Sequence, residues 1–187
     1  MNDLSQNITQ ILRSVQASDP EAREQLIEAT YDDLRRIASS RMAAERQNHT
    51  LTATALVNEV SLKLLQDRQL PTENRDHFFA YASRAMRNML IDHARSKVSQ
   101  RRGGKNQSVP LDAIEQEAQK CDEELLALDD SLTAFAEVDS RKAKVVEMKF
   151  FGRMTIEEIA SALDISVATV KRDWEIARAW LRDNMSD

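Results

Sequence analysis

Residues 155–181 read TIEEIASALDISVATVKRDWEIARAWL. Thr155 and Glu158 occupy the S/T-x-x-E positions of a capping box, in which two helix-end N–H groups are satisfied reciprocally, so one helix starts at Thr155. Ile156, Ile159, Ala160 and Leu163 recur at helical spacing and form its inner face. Asp164 falls where the chain must turn, and Ser166 caps the next helix. That helix carries Val167, Val170, Trp174, Ala177 and Leu181 on one stripe, with Ala168, Lys171, Arg172, Glu175 and Arg178 on the other. Two short helices, a tight turn and a polar outer face on the second predict a helix-turn-helix rather than a plain helical hairpin. The small Ala160 lets the two helices approach closely.

Upstream, Asp139 is a good N-cap for a helix running through Phe151, with Gly152 at its C′ position. Before that helix the chain turns acidic. Residues 107–130 are expected to be a connector, partly disordered at its start, with a short helix from Asp122 to Phe135. Towards the N terminus, apolar residues recur at helical spacing from Ile8 to Val15, Leu26 to Ile37, Leu51 to Leu65 and Phe78 to Ala94, which makes four helices. In the third, Leu56, Val60, Leu62, Leu64 and Leu65 fill one broad stripe, while Asn58, Glu59, Lys63 and Gln66 fall largely opposite. Arg68 to Asp76, with Pro71, is the loop before the fourth helix, which ends at Gly103-Gly104. The expected fold is all-α: two small helical domains, residues 1–106 and 131–187, joined by an acidic linker over 107–130.

Composition narrows the function classes. Only three Gly and three Pro in 187 residues leave too little turn chemistry for a sandwich, a barrel or a many-stranded α/β fold. The single Cys121 cannot make an internal disulfide, and the N-terminal MNDLSQNITQ lacks the basic and apolar regions of a signal peptide, so a reduced, cytoplasmic location is expected, without membrane insertion. His49, His77 and His93 are scattered. His77 is read as a loop pair with Asp76. No catalytic constellation, metal-ligand spacing or phosphate-cradling glycine loop is visible, so neither enzymatic activity nor a cofactor is expected.

The net charge of −5 conceals a division along the chain. Residues 1–106 carry 16 basic and 13 acidic residues, residues 107–140 carry one and ten, and residues 141–187 carry nine and eight. Arg84, Arg87, Arg95, Lys97, Arg101, Arg102 and Lys105 have only Asp92 among them as an acidic neighbour, which makes a local basic stripe.

These features carry a resemblance. Gly152, Thr155, Glu157-Glu158-Ile159-Ala160, Leu163, Ile165-Ser166 and Thr169-Val170-Lys171 are similar to region 4 of extracytoplasmic-function (group 4) sigma factors of the sigma-70 family. LVNEVSLKLL, from Leu56 to Leu65, resembles region 2.2, and FFAYASRAMRNMLIDHAR, from Phe78 to Arg95, resembles regions 2.3 and 2.4, including Asn88, Ile91 and Asp92. The chain departs from the usual pattern in having Thr54 and Ala55 where acidic residues are common, Ser61 and Leu65 where aromatic residues are common, Tyr81 for a Trp, and Asp164 for the turn glycine. Asp is among the few residues that tolerate a left-handed backbone, so the turn can survive.

The resemblance implies an RNA polymerase sigma factor that binds core RNA polymerase and directs promoter recognition, melting and transcription initiation. Leu56, Asn58, Glu59 and Leu62 would meet core polymerase. Tyr81, Arg84, Arg87, Asn88 and Arg95 would hold the melted −10 element, by stacking or pocketing bases and by tracking phosphates. Phe78 and Phe79 are expected in the core instead. Ser166, Ala168, Thr169, Lys171, Arg172, Glu175 and Arg178 would meet the −35 element in the major groove. Glu175 is also placed to pair with Lys171 one turn earlier. Ile176 and Trp180 would dock on the polymerase flap or pack against the Lys144 to Phe151 helix. The linker would either occupy basic polymerase surface near the RNA exit path or be solubilising disorder. Such a protein is a monomer when free, with an anti-sigma factor as a further candidate partner. The competing readings are an autonomous helix-turn-helix regulator that binds DNA without core polymerase, and a helical interaction protein that does not bind DNA.

Overall fold

The computed structural model describes residues 2–16, 19, 21–42, 52–67, 70–71, 73–103 and 113–185. Among these residues there are eight helices and no strand. They are α1 (Asn2–Gln16), α2 (Ala22–Met42), α3 (Ala53–Gln66), α4 (Arg75–Gly103), α5 (Ala113–Val138), α6 (Ser140–Phe150), α7 (Ile156–Leu163) and α8 (Val167–Asn184). The four N-terminal helices of the sequence reading are α1 to α4.

Local chemistry sets the helix ends. Thr52 caps α3 by accepting the Ala55 N–H at 3.1 Å, and Arg23 on α2 donates to the Leu65 and Asp67 carbonyls at 2.9 and 2.7 Å, satisfying the end of α3. Asn74 accepts the His77 N–H at 3.0 Å and so starts α4. Asp139 accepts the Lys142 N–H at 3.0 Å and caps α6.

Two expectations change. The connector is more ordered than its composition suggested: α5 begins at Ala113 and runs to Val138, well beyond the short helix from Asp122 to Phe135. Residues 107–112 lie outside the described residues, as does Arg68 of the loop before α4. Gly152 follows α6 at the expected C′ position, and the left-handed residue of this turn is Arg153, at φ 51°. Close approach to α4 explains the glycine. A Cβ there would stand 1.9 Å from the Ser83 Oγ on α4 and 2.8 Å from the Met148 carbonyl oxygen, so the bare backbone lets the α6–α7 turn press against α4. His77 faces Glu73, at 3.6 Å, rather than Asp76, which lies 3.7 Å from Arg75.

The halves pack into one continuous core. Leu12, Leu26, Leu34, Leu56, Leu64 and Phe78 from the first half join Leu132, Phe135, Val145, Phe151 and Ile159 from the second. Burying each such side chain stabilises by about 1.5–3 kcal/mol. Helices α5, α6 and α7 all lie against α4, which is thereby the central helix of the molecule. Phe78 and Phe79 are buried, edge to face, as expected of core aromatics.

Candidate nucleic-acid interface

The helix-turn-helix is built as its sequence indicates. The Thr155 N–H donates to the Glu158 carboxylate at 2.8 Å and the Glu158 N–H to the Thr155 hydroxyl at 3.1 Å, which closes the capping box of α7. Asp164 takes the left-handed conformation, φ 52° and ψ 47°, and the Ile165 N–H returns to the Ala160 carbonyl at 3.0 Å. Ser166 then caps α8 by accepting the Thr169 N–H at 3.1 Å. Ile159, Ala160, Val170 and Ala177 are buried between α7 and α8 and their neighbours.

Packing that way turns one face of α8 outward. Ser166, Ala168, Lys171, Arg172, Glu175 and Arg178 are exposed, and Thr169 is half-buried with its hydroxyl 2.8 Å from that of Ser166. Glu175 pairs with Arg178 at 3.7 Å, in place of the expected Lys171: on a helix the i+3 neighbour is as reachable as the i−4 one. Opposite this face, Asp173 is buried on α8 and accepts from Arg141 on α6 at 2.8 and 3.2 Å. That pair fixes α8 on α6, and Asp173 raises the Arg141 pKa through hydrogen bonding and charge. Trp180 stacks on Phe135 of α5, with ring centroids 4.7 Å apart, while Ile176 remains exposed.

The residues expected on the second DNA surface sit along α4. Arg84 and Asn88 are exposed. The half-buried Tyr81 donates to the Asp67 carboxylate; burial, the hydrogen bond and the negative charge push its pKa up to about 12 against a small opposing effect of Arg84. Arg87 is drawn inward. Its guanidinium donates to Asp129 through Nε and to Glu147 through Nη1, both at 2.8 Å, and to the Thr133 hydroxyl at 3.1 Å. Burial alone would lower the Arg87 pKa, but hydrogen bonds and charge from Glu147 and Asp129 outweigh it and raise it. Arg95 reaches the other Asp129 oxygen at 3.0 Å. An open groove of about 540 Å³ runs beside these residues, with Tyr81, Arg84 and Arg87 on one wall and Ala143, Lys144 and Glu147 on the other.

A third surface lies on α3. Asn58, Glu59 and Leu62 are exposed, and the Asn58 side chain accepts from the Tyr31 hydroxyl at 3.3 Å. Leu62 is 57% exposed, so it stands outside the apolar stripe in which its spacing placed it. Leu56 is fully buried; it holds α3 in place and has no surface to offer a partner.

The partners of the candidate site that the sequence did not reveal are carboxylates: Asp129, Asp173 and Glu147 pair with arginines 32 to 60 residues away. Among the described residues no helix is long and apolar enough to cross a membrane, and no group of His, Cys, Asp or Glu is placed to hold a metal ion.

In comparison with known proteins, no curated protein matches the chain. A family model described as ECF sigma factor matches residues 5–187, nearly the whole length and both halves of the fold. The chain belongs to the ECF sigma factor family, whose members are non-enzymatic initiation factors that bind core RNA polymerase and promoter DNA, and it functions as an RNA polymerase sigma factor.

Proposed function

We propose a division of this work along the chain. Residues 1–106 dock on core polymerase and hold the −10 element, residues 131–187 bind the −35 element, and residues 107–130 connect them. The observation that carries the assignment is the outward face of α8, where Ser166, Ala168, Lys171, Arg172, Glu175 and Arg178 stand exposed on a helix anchored by the buried Asp173. A recognition helix needs that combination: a rigid seat, and donors and acceptors free to meet base edges and phosphates. Thr169 and Ser166, at the start of α8, are nearest the bases in this arrangement.

On α4, Tyr81, Arg84, Arg87, Asn88 and Arg95 supply an aromatic ring and cations for unstacked bases and their phosphates. On α3, Asn58, Glu59 and Leu62 form the docking patch, with Leu56 beneath it. The free protein is a cytoplasmic monomer with no cofactor, and an anti-sigma factor is a candidate further partner. DNase footprinting of the holoenzyme reconstituted with purified core polymerase tests the division. Alanine variants of α8 should lose upstream protection while core binding persists, and variants of α4 should lose melting while upstream protection persists. Loss of both protections from either set would contradict it.

A further inference from the structure

Of the two DNA-facing surfaces, one is open, and on the other Arg84 and Asn88 are exposed while Arg87 and Arg95 are held by carboxylates. On the outer face of α8, Lys171 and Arg172 are exposed. On α4, Arg87 has only 15% of its side chain accessible, and its guanidinium is shared among Asp129, Glu147 and Thr133. Asp129 is itself buried and bridges Arg87 and Arg95 with its two oxygens. Asp122 lies one seven-residue repeat earlier on the same face of α5, is buried, and approaches Lys97 at 3.8 Å. Two carboxylates on one face of α5 therefore lie against three cations along α4. Charge-assisted hydrogen bonds to carboxylate and to phosphate use the same donors at the same distances, so one guanidinium cannot serve both fully.

We propose that the acidic face of α5, with Glu147 of α6, is an internal substitute for DNA: in the free chain it occupies Arg87, Arg95 and Lys97 of α4, and it must leave them before these cations can take up a melted strand. The inference rests on the assignment of Arg87 and Arg95 to the −10 element. The arrangement opposes DNA binding by the free protein by making the loss of the Asp129 and Glu147 pairs part of the cost. Removing the carboxylates should therefore release DNA affinity without any change in the cations themselves.

The test measures binding of a fluorescein-labelled, mixed-sequence single-stranded oligodeoxynucleotide to the free protein, by anisotropy over a range of salt. Asp129→Asn and Glu147→Gln should each tighten binding, the double variant by about tenfold, with a steeper salt dependence as freed guanidiniums reach phosphates. The control is Asp130→Asn with Glu137→Gln, which removes the same charge from exposed positions of α5. Equal tightening in the control, or none in the folded Asp129 and Glu147 variants, overturns the proposal. Should Asp129→Asn fail to fold, as read by far-ultraviolet circular dichroism, Glu147→Gln decides alone, since it leaves the α5 carboxylates in place. Failure of the underlying assignment shows separately: a holoenzyme carrying Arg87→Ala and Arg95→Ala that still melts promoters normally would remove both the assignment and the masking built on it.

Discussion

Arg75, in the first turn of α4, donates to Glu158 at 2.8 Å, and Glu158 is the same carboxylate that closes the capping box on Thr155. One side chain thus starts the first helix of the helix-turn-helix and ties it to the central helix of the molecule. Burial alone would raise the Glu158 pKa, but the Thr155 backbone N–H and the charge and hydrogen bond of Arg75 prevail and lower it.

A carboxylate with a depressed folded-state pKa contributes stability that is full above its unfolded value and is lost as pH falls through the folded one. Glu158→Gln keeps one oxygen to accept the Thr155 N–H and puts an amide NH2 in place of the oxygen that Arg75 meets, so it removes the charge and the hydrogen bond to Arg75 together. Thermal melting should show the wild type more stable than Glu158→Gln above about pH 4.5, the ordinary glutamate value. The difference should shrink steadily as pH falls below it. A gap that is independent of pH would show that the ionic contact contributes nothing.

Gly152→Ala forces a Cβ into the Ser83 side chain and the Met148 carbonyl. The α6–α7 turn must then move off α4, at a cost of about 1–3 kcal/mol in urea unfolding. Because the obstruction includes backbone, Ser83→Ala should recover only part of that loss.

Arg172 is exposed on α8. Arg172→Ala should leave the melting temperature unchanged and weaken promoter binding by the holoenzyme by about 1–3 kcal/mol at matched salt, if the residue reads a base. Unchanged affinity would remove Arg172 from the interface.

The docking patch proposed on α3 can be tested apart from the core beneath it. Leu62→Asp alters an exposed side chain and should weaken core polymerase binding by about tenfold with little effect on melting. Leu56→Ala deletes a fully buried side chain and should cost about 2–5 kcal/mol of stability. Retention of full core affinity by Leu62→Asp would place the docking surface elsewhere.

What the sequence made legible is what short-range chemistry decides. The Thr155–Glu158 box, the left-handed Asp164 and the caps Ser166 and Asp139 depend on neighbours within four residues, and all stand where the sequence placed them. The fate of the acidic segment was not legible, because its charges look solvated until α4 supplies Arg87, Arg95 and Lys97 from across the fold. Gly152 stands at the expected C′ position, but its close approach to Ser83 is a tertiary contact invisible to local pattern. Likewise Asp173 owes its burial to Arg141, 32 residues away.

The central claim is tested most directly by mixing the purified chain with bacterial core RNA polymerase, following co-elution by size exclusion, and transcribing fragmented genomic DNA from the source organism with the complex. Co-elution, with new transcripts of defined start that require both components, is the expected result. Stable, specific binding of the chain alone to a DNA site, with no co-elution and no core-dependent transcript, would contradict it.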